Sequence, residues 1–174
     1  MKFLRVLTEV RERALAYLKR LAPNWPEYVL KDFVYNNYKN YMDEAEDVMT
    51  KWAENIGYDT IQDVVWKFET LSLTLDSFDK DTVDHMKKRE FGKLNPFQVS
   101  RDAERQAGAK NRLQAGPSKE PIILVKQPSG KYELIEGFHR TMQSLLLWPK
   151  GYQQAAYIAI AKTKIKNSPF PSNS

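Results

Sequence analysis

The sequence predicts an α+β fold, with a helical N-terminal extension over residues 1–69 followed by a small sheet packed with helices over 70–166. Three observations predict it. Apolar residues recur at helical spacing through the first third, the period switches to two near residue 70, and the second half alternates short apolar runs with glycine and proline turns. A chain of 174 residues buries one solid core with an appendage more readily than two full-sized domains.

Residues 2–21 place Phe3, Leu4, Leu7, Val10, Ala14, Leu18 and Leu21 on one face of an amphipathic helix that Pro23 ends. A second helical pattern runs from about Pro26, suited to a first turn, to Asn55, through Tyr28, Phe33, Val34, Tyr41, Met42, Ala45, Val48, Met49 and Trp52. Asp59 is placed to cap a third, shorter helix carrying Ile61, Val64, Val65 and Phe68. Leu71, Leu73 and Leu75 then alternate with Ser72, Thr74 and Asp76 as in a half-buried strand, which puts a domain boundary near residue 70. Asp81-Thr82 opens a helix to about Glu90, and Ser100 caps another to about Gln114. Two strands, 121–126 and 131–136, are joined by Gln127-Pro128-Ser129-Gly130 as a hairpin. Gly137 ends the second of them, a helix with Met142, Leu145 and Leu146 follows to about Leu147, and a last strand lies near Ala155–Ala161. Residues 167–174 are expected to be unstructured.

Composition excludes several function classes. With no cysteine and only two histidines, a disulfide framework, a thiol nucleophile and a structural zinc site are all ruled out. No apolar run approaches the ~20 residues that cross a bilayer, so no membrane partner is expected. Arg5, Glu9, Arg11, Glu12 and Arg13 interrupt any signal-peptide core, which predicts a cytoplasmic protein. The net charge of +5 is unevenly spread: residues 1–79 hold 10 Lys+Arg against 14 Asp+Glu, a net of −4, and residues 80–174 hold 17 against 8, a net of +9. A basic half of this size suits a nucleotide or DNA, and it equally suits a solubilising surface.

The chemistry concentrates at Glu136-Gly137-Phe138-His139-Arg140. A strand, a single glycine and a helix start form the arrangement in which a protein most easily holds a phosphate, because the first N–H groups of a helix have no internal acceptor. Gly137 lets an anion approach the main chain. His139 and Arg140 then flank the same helix end, and a guanidinium fork matches phosphate oxygens. Glu136 and His139 are the candidate acid–base groups, with magnesium binding or water activation open to Glu136. Each has a plainer alternative: a hydrogen-bonded structural histidine, Arg140 paired with Glu136 or Glu133, and a solvated strand-end acid. Phe138 either packs into the core or covers a nucleobase. His85, in a run of charged residues, reads as part of a solvated helix face. Tyr35, Tyr38 and Tyr41, like the four tryptophans, read as packing residues.

The run of Glu120-Pro121-Ile122-Ile123-Leu124-Val125, Tyr132-Glu133-Leu134-Ile135-Glu136 and Gly137-Phe138-His139-Arg140 resembles the ParB/sulfiredoxin superfamily. In that superfamily a Pro-Ile-hydrophobic strand precedes a strand ending in a glycine turn, with a His-Arg or Arg-Arg pair at the next helix. Asn95-Pro96 and the basic helix from Ser100 resemble the segment before this hairpin in ParB-type domains. The likeness covers roughly residues 70–165 and implies a small mixed sheet with helices, preceded here by the helical extension. It further implies a phosphate pocket containing Gly137, Phe138, His139 and Arg140, with Arg101 and Arg105 as contacts from the preceding helix and a nucleoside triphosphate with magnesium as ligand. In sulfiredoxins the motif is Gly-Cys-His-Arg and the cysteine carries the chemistry; here Phe138 stands in its place, so that reductase mechanism is unavailable. In ParB proteins the box binds the triphosphate of CTP and a helix-turn-helix domain follows, for which the remaining sequence is too short.

Three function classes therefore stand side by side. The first is nucleotide (ATP or CTP) binding, with or without phosphotransfer or hydrolysis. The second is DNA binding or a ParB-like nuclease. The third is a non-enzymatic assembly protein of a mobile element or phage, whose N-terminal helices dock on a protein partner.

Overall fold

A computed structural model of the chain describes residues 2–90, 104, 107–108, 111 and 116–163. The chain divides into two compact units, Met1–Trp66 with Ile160–Asn173, and Lys67–Ala159 with Ser174.

The first unit is helical. Helix α1 spans Lys2–Leu21 and buries Leu18, whose carbonyl accepts from Ala22. The single helix expected over 26–55 is instead broken. A π-helical stretch, Val29–Tyr35, runs into a short α turn at Asn36–Tyr38, and α2 follows over Ala45–Asn55. Its polar break, Lys39-Asn40-Tyr41, is exposed, and no apolar face there needs the helix to continue. Helix α2 closes in a Schellman arrangement, with Gly57 N–H donating to Glu54 O and Tyr58 N–H to Ala53 O, which requires the left-handed φ of +90° at Gly57. The core is an aromatic cluster in which Trp25 meets Trp52 and Trp66 edge-on at 5.1 and 5.2 Å, while Trp52 and Trp66 stack at 5.7 Å. Trp25 Nε1 donates to Ile61 O (2.9 Å), so the indole is buried with its polar atom satisfied. The helix expected after Asp59 is a single 3-10 turn, Ile61–Asp63. Val64, Val65, Trp66 and Phe68 are β-branched or aromatic, and they pass directly into a strand.

The second unit carries the sheet. Strands β1 (Trp66–Leu73), β2 (Ile122–Lys126), β3 (Tyr132–Glu136) and β4 (Tyr152–Ile160) lie in the order β1-β4-β2-β3. β1 and β4 are antiparallel: Val65 O accepts from Ile160 N, and Phe68 lies against Tyr157 with ring centroids 4.7 Å apart. The hairpin β2/β3 is antiparallel as the turn residues predict, with Leu124 opposite Leu134 and a bulge beside Ile123. Helix α3 (Lys80–Glu90) is started by Asp79, whose carboxylate accepts from Thr82 N–H (2.9 Å). The segment before it bridges the free side of β3, Phe78 pairing in parallel with Tyr132, and the first turn of α3 adds a bond from Leu134 N–H to Thr82 Oγ1 (3.2 Å). That edge is thereby covered. Helix α4 (Phe138–Leu147) buries Thr141, Met142, Ser144 and Leu145. No described helix is long and apolar enough to cross a membrane. Of the helix expected from Ser100 to about Gln114 only residues 104, 107–108 and 111 are described, each of them helical, and the tail 167–174 lies outside the described residues.

Candidate functional site

Strand β3 ends at Glu136, and its bulged pairing with Ile123 turns the chain just where the motif begins. Gly137 then adopts the left-handed conformation, φ +94° and ψ +22°, and heads α4 without a side chain to cap it. A β-carbon at this position would lie 2.6 Å from Ile122 Cγ2. Both the dihedral and the packing therefore demand glycine, and the first turn of α4 has no capping side chain from its N-cap residue. Gly137 O accepts the first helical bond, from Thr141 N–H (2.9 Å), and Gly137 N–H donates to Glu136 Oε1 (3.1 Å). The carboxylate of Glu136 thus folds over the turn.

Arg140 takes a partner that neither sequence alternative named. Its Nη1 donates to Glu120 Oε2 (2.5 Å) and to Glu120 O (3.4 Å), and its Nη2 donates to Pro121 O (3.3 Å). The Arg140 side chain is only 13% exposed, against 74% for Glu120. Gln154 Nε2 reaches the same Glu120 carbonyl at 2.9 Å. The guanidinium therefore clamps the start of β2 to the first turn of α4, and it brings a buried positive charge to the helix start.

Phe138 is half-buried and stands edge-on to His85 of α3, with centroids 4.8 Å apart, and His139 lies 6.3 Å from Phe138. The helix start is thus lined by two imidazoles and a phenyl ring. His85, read from sequence as part of a solvated face, is brought to the motif by the packing of Thr82 and Met86 on the neighbouring positions of α3. Its spacing from those two buried residues was the one available signal. Arg101 and Arg105 lie outside the described residues.

Two titratable groups beside the motif are strongly displaced. Glu133 on β3 is pushed up to about 7 by burial, then by the charges of Asp79 and Asp81, and its Oε2 has no hydrogen-bond partner among the described residues. Burial pushes the Tyr152 phenol up to about 12. The hydroxyls of Thr141 and Ser144 approach the Tyr152 phenol and moderate that shift, but none of the three meets a partner at ordinary hydrogen-bond geometry. Among the described residues no three His, Asp or Glu side chains are grouped to hold a metal ion. Comparison of the chain with protein families, with curated proteins and with solved structures finds no match.

Proposed function

We propose that the chain binds the phosphate groups of a nucleoside triphosphate at the start of α4, in the manner of the ParB/sulfiredoxin-like proteins that its Pro121-Ile122 strand and Gly137–Arg140 motif resemble. The observation that carries this reading is the left-handed, side-chain-free Gly137 between β3 and α4, packed so closely on Ile122 that no other residue fits. Ile122 fills the side of Gly137 where a β-carbon would stand, so in this reading the anion approaches from the helix side of the turn, at the positive end of the helix dipole.

In this reading the main chain of residues 138–140 contacts the phosphate oxygens. His139 stands beside them as hydrogen-bond donor and proton carrier. Arg140 contributes charge and positions the turn, because its fork is already engaged with Glu120 and Pro121. Glu136 is the residue that would hold a magnesium ion carried in by the nucleotide, after releasing the Gly137 N–H. The metal would neutralise phosphate charge that the carboxylate otherwise repels. Phe138, edge-on to His85, offers a flat surface beside the pocket for a base. Arg101 and Arg105 remain assigned to the second side of the pocket on the strength of the resemblance alone.

Isothermal titration with ATP and with CTP, each with magnesium, tests this. The expected outcome is saturable binding of at least one nucleotide, weakened about tenfold or more in His139→Ala. Absence of binding of either nucleotide at millimolar concentration, with the protein folded by circular dichroism, ends the proposal.

A further inference from the structure

We infer that β1 is a self-association edge, and that its partner is a second copy of this chain paired antiparallel about a two-fold axis through Phe68. The inference is independent of the phosphate site. β1 terminates the sheet order β1-β4-β2-β3, and Lys67, Phe68, Glu69 and Thr70 are exposed in succession, with Phe68 at 57%. Exposed edges of this length usually attract another strand unless charges prevent it. Here the charges favour one specific strand.

Backbone direction sets the register. Val65 O accepts from Ile160 N, so residues 65, 67 and 69 turn their main-chain groups inward to β4, and Phe68 turns its N–H and C=O outward. Two copies meeting at Phe68 would exchange both of its hydrogen bonds. In that register the residue one place before Phe68 faces the residue one place after it on the partner. Lys67 then lies opposite Glu69 twice, at the non-hydrogen-bonded positions where cross-strand side chains come closest. A like-charged pair at 67 and 69 would oppose this register, and the sequence Lys67-Phe68-Glu69 is complementary to itself.

The open face of the sheet agrees. Phe68 packs beside Tyr157 at 4.7 Å, and joining two copies at Phe68 extends the pair into a row of four rings across the new sheet. One strand edge with one aromatic row buries less than a standard protein interface, so the association is weak and rapidly reversible.

Sedimentation equilibrium from low concentration to about 1 mM tests the inference. The wild-type chain is expected to shift from monomer to dimer, and no further, over this range. Glu69→Lys and Lys67→Glu should each weaken the dimer about tenfold or more, and the double reversal should restore it. Both side chains are exposed, and circular dichroism verifies that the variants fold. Should a single variant fail to fold, the wild-type dimer must still weaken when salt is raised, since its charge pairs lie at the rim. A chain that stays monomeric to about 1 mM, single reversals that associate like wild type, or a double reversal that fails to restore pairing would each overturn the inference.

Discussion

Glu133 shows how a single side chain acquires a behaviour its neighbours impose. An ordinary glutamate near 4.5 is raised to about 7 because it is buried and faces Asp79 and Asp81. Between those two values the folded state keeps a proton that the unfolded chain has released. The stabilisation this represents is complete below about pH 4.5, declines as pH rises through about 7, and is gone above it. The displacement corresponds to something on the order of 3 kcal/mol. Chemical denaturation at pH 5 and pH 8 should therefore show the wild type losing stability toward pH 8, and Glu133→Gln should flatten that dependence and be the more stable at pH 8. An unchanged profile in the variant would place the titration elsewhere. Nothing in Tyr132-Glu133-Leu134 signals this shift, since a strand acid between apolar residues reads as solvent-facing until Asp79 is known to lie across from it.

Among the secondary-structure elements, the join between β2 and α4 depends on Arg140. Its two anchors are unequal: the ion pair to Glu120 is largely exposed on the carboxylate side, and the bond to the Pro121 carbonyl is partly buried. Removing the carboxylate with Glu120→Gln should cost no more than about 1 kcal/mol. Arg140→Ala, which removes the bond to Pro121 O and leaves a gap at the helix start while Gln154 still holds the Glu120 carbonyl, should cost about 2 kcal/mol or more. Urea denaturation of the two variants measures the asymmetry, and equal losses would mean that the surface ion pair is the main tie. The strand, glycine and helix of the motif were readable because each rests on local chemistry, an alternating apolar run, a residue free to adopt positive φ, and a 3.6-residue period. Glu120 as the partner of Arg140 was not readable, because the sequence separation of 20 between them is closed by the hairpin pairing and by nothing in their own sequence.

Over the whole molecule, the end of the last strand and the residues after it are tied back to the end of α2 by long-range bonds. Tyr58 OH donates to Ile160 O at 2.7 Å across 102 residues, Lys162 N–H donates to Ile56 O at 2.8 Å, and the Lys162 ammonium sits 4.2 Å from the Tyr58 ring centre. Residues 160–163 thus belong with the helical unit, while the change of hydrophobic period put a boundary near residue 70 and assigned residues 70–166 to the sheet domain. Tyr58→Phe leaves the ring in place and removes only the hydroxyl, so it should destabilise the chain by about 1–2 kcal/mol. The loss should be visible as a lower midpoint when thermal unfolding is followed by tryptophan fluorescence, to which Trp25, Trp52 and Trp66 of the helical unit contribute three of the four indoles. An unchanged midpoint would show that the bond from Tyr58 to Ile160 contributes little to the helical unit.

What the sequence by itself determined is everything carried by short-range pattern. This covers the amphipathic first helix, the hairpin between residues 121 and 136, the glycine that ends its second strand, the helix that starts after it, and the excess of positive charge in the second half. Periodicity and backbone propensity act within a few residues and can be read there. Tertiary structure alone decided that Phe68 continues a strand, that His85 faces Phe138, that Arg140 grips Glu120, and that, among the described residues, the edge of β3 is bridged while β1 ends the sheet. Each of these depends on which strands become neighbours, and strand order is settled by the burial of whole faces against one another, a quantity to which every element contributes and no local stretch reveals.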